Sequence, residues 1–275
     1  MVDAPSQVGS DNSSVFLELE KSFRDLENKN NLHVLHAGDL SHLYLTKKTE
    51  AHYANCRFIY IRSIESYLSL FPADETVEID VTVPANVSGW DLKKTLIALL
   101  KGNPEALDWV QLKDPYAGHE EFPKSLISFA LEHCDPIRFA LYHYNRIERQ
   151  KHRFDGAALS EIVPERLYDL IRSSLVLRWY NQNRYQGIPP SSLTEIAEAT
   201  FIRPVLRGEI EELVERSEAG MIKDVVRPAS AISDLILSEL EAGPALLARR
   251  RRPFTKDTAA QADRFFLKWA VHPKN

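Results

Sequence analysis

Residues 88–110 read SGWDLKKTLIALLKGNPEALDWV, and this stretch decides the fold. Ser88 followed three residues later by Asp91 has the spacing of a capping box, and Gly102 stands where a helix closes. Asn103-Pro104 then supplies an N-cap and a first helical residue. The spacing predicts two consecutive helices, the first starting at Ser88.

Upstream the period changes from 3.6 to 2. LHVLHAG (32–38) and CRFIYIR (56–62) read as strands. TVEIDVTV (76–83) alternates, with Val77, Ile79, Val81 and Val83 on one face and Glu78, Asp80 and Thr82 on the other. SIESYLSLF between the last two reads as a helix. Ahead of them, VFLELEKSFRDLENKNN (15–31) spaces Phe16, Leu19, Phe23 and Leu26 as one face of an amphipathic helix.

Downstream the chain reads as helices: Asp135-Pro136 into IRFALYHYNRIERQKHR, then PERLYDLIRSSLVLRWYNQN, SSLTEIAEATF, VLRGEIEELVERSEAG and ASAISDLILSELEAG, with Pro or Gly near most junctions. The expected class is α+β. A polar tail (1–14), expected to be disordered, precedes a small mixed sheet flanked by helices (15–115). A helical domain (116–245) and a basic extension with a short helix, TAAQADRFFLKWAV (246–275), follow.

The 275 residues are 44% hydrophobic and 27% charged with a formal net charge of -5, a globular composition that argues against wholesale polyanion binding. No membrane partner is expected, because no run of about 18 apolar residues and no signal-type apolar region occurs. Cys56 and Cys134 lack metal or disulfide spacing and are expected as buried thiols of an intracellular, cytoplasmic protein. The run Arg249 to Arg252 reads as a basic linker, with RNA phosphate contact or nuclear import as alternatives. Trp90 and Trp109 are expected in the core, His133 and His143 have no partner at metal-ligand spacing, and GxSxG is absent.

In order, the strand-helix-strand start, VSGWDLKKTLIALLKGNPEALDWV, ALYHYNRIER and RLYDLIRSSLVLRW resemble the predicted nucleotidyltransferases of the DNA polymerase β superfamily linked to RNA repair. The resemblance covers about His33 to Trp179. It implies a short mixed sheet, a helical domain over a nucleotide cleft, and magnesium-dependent transfer of a nucleotidyl group from an NTP to a hydroxyl. Such chemistry uses carboxylates to hold two hard cations about 4 Å apart. Relatives supply a Gly-Ser turn, an Asp-x-Asp pair on the next strand and a third acid later.

Counting back from FIYIR without a gap, the turn falls on Ser41 and His42 and the acid pair on Tyr53 and Asn55. Distance from SGWDL puts the third acid on Asn86. None of the three is acidic. The resemblance further implies nucleotide contacts at Arg166, Tyr168 and Arg172 on one helix and at Tyr142, Tyr144 and Arg149 on another; His143 falls among the latter matches. The expected function is therefore a nucleotidyltransferase fold without turnover that keeps nucleotide, RNA or protein-partner binding. Two alternatives stand beside it: an active enzyme using magnesium held by relocated acids Asp39, Glu78 and Asp80, and a scaffold without a ligand. Alternation alone reads Glu78 and Asp80 as a solvated strand face.

Overall fold

The computed structural model describes residues 11–40, 54–71, 73–81, 85–112, 115–155, 158–219, 221 and 225–271. Ser41, His42 and Tyr53 lie outside the described residues. Five strands, β1 (Leu32–Asp39), β2 (Ala54–Arg62), β3 (Thr76–Ile79), β4 (Ala85–Asp91) and β5 (Ala117–Gly118), form one sheet in the order β3-β4-β2-β1-β5. All neighbours are antiparallel except β2 and β4, which run parallel from Ala54↔Ala85 to Tyr60↔Asp91.

Strand β4 corrects the sequence reading. Ser88 is no helix cap: it sits inside β4, paired with Arg57 on one side and Glu78 on the other. The cap of the next helix is Asp91, whose carboxylate accepts the Lys93 N–H at 2.8 Å. The helix at SIESYLSLF shrinks to one turn, and the TVEIDVTV strand is described only over Thr76–Ile79.

The pleat of β2 separates two layers. Cys56, Phe58 and Tyr60 pack with Leu19, Phe23 and Leu26 of α1 (Asp11–Asn30), so the first four residues of α1 fall within the expected tail. Arg57, Ile59 and Ile61 point to the opposite face. There Ile59 and Ile61 join Leu35 and Leu92, Leu96 and Leu99, which come from the third helix. The helices on this side are α2 (Ile64–Tyr67), α3 (Leu92–Lys101), α4 (Glu105–Trp109), α5 (Phe122–His133) and α6 (Pro136–Glu148). Gly102 closes α3 at φ +98°, a left-handed conformation that a side chain resists. Asn103 caps α4 by accepting the Glu105 N–H at 2.9 Å.

A two-stranded ribbon, β6 (Phe154–Asp155) with β7 (Ala158–Leu159), leads into α7 (Pro164–Gln182), α8 (Leu193–Ala199), α9 (Pro204–Glu218), α10 (Ser230–Leu247) and α11 (Lys256–Val271). One apolar cluster runs from the inner face of the sheet through α3, α5, α6, α7 and α10. At its centre Gly243 of α10 lies against the Tyr144 ring, where an added Cβ would be 2.2 Å from a ring carbon. Helix α11 returns to α3, α5 and β2, burying Trp269 beside Phe122 at 5.1 Å between ring centroids. Cys56 and Cys134 are buried free thiols, and Cys134 is pushed up to about 12 by burial. Trp109 is buried and Trp90 half-buried, their rings 4.7 Å apart.

Two glycines separate packing from propensity. A Cβ at Gly89 would lie 2.4 Å from the Phe58 ring, whereas nothing lies within 4 Å of one at Gly208 in α9. Gly89→Ala is expected to lower stability by about 1–3 kcal/mol, and Gly208→Ala to raise it by about 0.5–1 kcal/mol, read as urea midpoints at constant m.

Candidate functional site

The parallel register of β2 and β4 sets Asn55 directly beside Asn86 at the starts of the two strands. Two residues on, Arg57 shares their face because side chains alternate. Its guanidinium donates to the Cys56 carbonyl at 3.0 Å, the Asn86 carbonyl at 3.4 Å and the Asn86 Oδ1 at 3.3 Å. The Asn86 Oδ1 therefore already faces a cation.

Asp39, at the end of β1, is committed elsewhere. Its Oδ1 accepts the Asn55 N–H at 3.1 Å and its Oδ2 accepts the Tyr116 hydroxyl at 3.3 Å. Burial first, then the Asp39 charge, raises the Tyr116 phenol above its ordinary range. Asp39 stands in one row with Cys56, Val87 and Ile79; Glu78 stands in the next row with Ser88, Arg57 and Gly38. Adjacent rows of a pleated sheet face opposite sides, so Asp39 and Glu78 point apart with two strands between them. Asp80 is exposed just beyond β3. The structure does not bring the relocated trio together, and among the described residues no three His, Cys, Asp or Glu side chains are grouped to hold a metal. A site built on two neutral amides beside a guanidinium does not fit a divalent cation, which selects anionic oxygen.

A second polar cluster lies in the helical layer. Helix α4 presents Glu105 and Asp108 one turn apart, α6 presents Tyr142, His143 and Arg146, and α7 presents Asp169, Arg172 and Ser173. Arg146 pairs with Asp169 and donates to the Tyr142 hydroxyl at 3.0 Å, and that hydroxyl donates to Glu105. Arg172 pairs with Asp108 and donates through Nε to the Ser191 carbonyl at 2.8 Å. His143 Nδ1 is 3.3 Å from the Ser173 hydroxyl.

Desolvation dominates the ionisation of this cluster. Burial lifts the Asp108 carboxyl above its usual range despite Arg172, and does the same at Asp169 despite Arg146. Burial, with the Arg172 and Arg146 charges, holds His143 well below the ordinary imidazole value.

The residues expected at a nucleotide separate accordingly. Tyr144 and Tyr168 are core side chains, Arg172 and Tyr142 are held by the cluster, and Arg149 and Arg166 are exposed. Sequence reasoning missed Glu105, Asp108, Arg146 and Asp169. Helical spacing does contain a signal, since Glu105 and Asp108 are three apart and Tyr142 and Arg146 four apart, but it does not say which acids meet which arginines.

The fold and both clusters can be set against known proteins. The sequence matches the profile of the RNA repair pathway DNA polymerase beta family, RlaP, over residues 18–268. The chain belongs to that family. It is 27% identical over 185 residues to the uncharacterized protein YcgL of Bacillus subtilis (strain 168), spanning 67% of this chain and 70% of that protein. It also aligns with the crystal structure of a nucleotidyltransferase-like protein from Exiguobacterium sibiricum 255-15 at 13% identity and a TM-score of 0.29, over 92% of this chain and 87% of that one. The family match extends to residue 268, so it takes in α8 to α10 and most of α11, beyond the stretch whose motifs are specific.

Removing Arg172 leaves the Asp108 charge buried, so Arg172→Ala is expected to cost about 3–5 kcal/mol. Arg172→Met combined with Asp108→Leu is expected to recover most of that loss in a denaturant titration. For His143, the unfolded imidazole takes up a proton as pH falls through 6.5 while the native one resists. Stability must therefore decline on acidification below that pH. His143→Asn is expected to remove up to about 1.4 kcal/mol per pH unit of that slope, measured by urea midpoints from pH 8 to pH 5.

Proposed function

We propose that this member of the family no longer transfers nucleotides and acts by binding, its cleft holding a nucleotide without a catalytic metal pair. The observation that carries the reading is the side-by-side placement of Asn55 and Asn86 in register, with Arg57 against Asn86. By the gapless count from FIYIR and the distance from SGWDL, the resemblance assigns these two positions and Tyr53 to the three acids of active relatives. An Asn offers a metal one neutral oxygen, and a Tyr offers a phenol that stays protonated at neutral pH. Each missing carboxylate removes several kcal/mol of transition-state stabilisation, or several tenfold steps in rate. Arg57 adds a positive charge that opposes a divalent cation and favours a phosphate oxygen.

Purified protein incubated with labelled NTPs and an RNA or protein acceptor is expected to incorporate no label in magnesium or manganese. An NTP is expected to raise the melting temperature equally in EDTA and in magnesium, since a ligand of the native state at 100 times its Kd adds about 2.7 kcal/mol. In Tyr53→Asp/Asn55→Asp/Asn86→Asp, magnesium alone is expected to raise the melting temperature, which it does not do for the parent. Label incorporation by the parent that is abolished by Asp80→Ala would overturn the reading in favour of relocated acids. The absence of a shift with any NTP up to millimolar concentration would favour a scaffold.

A further inference from the structure

Away from Asn55 and Asn86, α5 and α11 lie side by side with a groove of about 460 Å3 between them. Lys124 and His133 of α5 and Arg264 and Lys268 of α11 line it, with Glu132 as its carboxylate. Glu132 is exposed at the rim beside His133, its Oε2 lying 3.6 Å from Nε2. The floor is aromatic, with the Phe129 and Phe265 rings 5.0 Å apart.

The basic run lies at the end of this groove. Arg252 donates its backbone N–H to Asp135 Oδ2 at 2.8 Å and its guanidinium to the Glu132 carbonyl at 2.9 Å, which fixes the run to the C-terminal end of α5. At the other end the Arg249 guanidinium lies 4.1 Å from the Tyr185 ring centroid. Arg250 and Arg251 stand exposed between these two anchors, and Phe254 is 61% exposed just beyond. Among the described residues, no carboxylate lies within 4.0 Å of Lys124, Arg250, Arg251, Arg264 or Lys268. In a chain with 39 acids against 34 basic residues, five unneutralised cations along one groove and its outlet form a local reversal of charge.

We propose that the α5–α11 groove and the Arg249–Arg252 segment form one track for a single-stranded polynucleotide, separate from the cleft at Asn55 and Asn86. The cations are strung over more length than one phosphate occupies: α5 alone carries the lining from Lys124 to His133, about 14 Å at 1.5 Å per residue. A single strand suits an open groove with Phe265 half-buried in its floor and Phe254 exposed just beyond, because a base can stack on an accessible ring while phosphates meet the cations. A duplex hides its bases, and an acidic peptide has none to offer the rings.

The test is fluorescence anisotropy of the full chain with labelled 12-mer oligouridylate and oligothymidylate over a range of salt concentrations. Binding of either strand at low salt is expected, with log K falling against log salt at a slope of about -2 to -3.5 for three to five phosphate contacts. The tighter of the two strands identifies the natural sugar. Arg250→Glu/Arg251→Glu and Arg264→Glu/Lys268→Glu are each expected to weaken binding at least tenfold and to reduce the slope by about 1.4. Should the second pair fail to fold, Arg264→Gln/Lys268→Gln decides by the same reduction in slope. Asn55→Asp/Asn86→Asp is expected to leave strand binding unchanged, so the track and the inert cleft stand or fall separately. The proposal is overturned by no binding at low salt, by a slope indifferent to the four basic residues, or by tighter binding of polyglutamate or of anionic vesicles.

Discussion

The parallel ladder between β2 and β4 is the constraint on which the rest of the structure depends. Parallel neighbours cannot be joined by a tight turn, so the chain leaves β2, crosses through α2 and β3, and returns to start β4 at Ala85. The register so fixed determines three things at once. It brings Asn55 beside Asn86, it sets Gly89 against Phe58, and it ends with Asp91 beside Tyr60. Asp91 then serves both elements: as the last residue of β4 and as the cap of α3, with its buried carboxylate accepting the Tyr67 hydroxyl at 2.8 Å and lying 3.9 Å from Arg62. Burial raises that carboxyl above its ordinary range, while the two bonds and the Arg62 charge act in the opposite direction. A slip of one residue would turn every side chain of β4 to the wrong face.

Among the described residues, no three His, Cys, Asp or Glu side chains are grouped to hold a metal. At the starts of β2 and β4 this chain sets the amides of Asn55 and Asn86 side by side, with Arg57 against the latter. Its paired, desolvated acids lie instead between α4, α6 and α7, where Asp108 and Asp169 meet Arg172 and Arg146. Those pairs join the segment that follows the sheet to the helical layer. Their role is to hold layers in place, and the arginines that a sequence comparison would give to a triphosphate are partly occupied in doing so.

Much of this was legible from local pattern. β1, β2, α6 and α7 lie where the sequence reads strands and helices, and Asp135 before Pro136 marks the start of α6 correctly. β4 was misread because Ser88 and Asp91 have the spacing of a capping box, and nothing local tells a cap from a strand whose partner lies about thirty residues earlier. For the same reason the ion pairs escaped: Arg172 finds Asp108 across 64 positions of sequence. The apolar run FIYIR lets the positions upstream of it be counted from sequence, whereas the partners of Asn86 and Asp39 are set by register and by the segment leading into β5.

The return of α11 to the sheet has a consequence for synthesis. A chain leaves the ribosome from its N-terminus, and domains commonly fold in that order. Here the layer containing α3 and α5 is not closed until Trp269, almost 140 residues after the end of α5, packs beside Phe122. Until then Phe122 and Phe129 lack the cover that Phe265 and Trp269 of α11 give them. The cover of this layer is therefore made long after the layer itself, and the aromatic surface of Phe122 and Phe129 is open to solvent or to another chain in that interval.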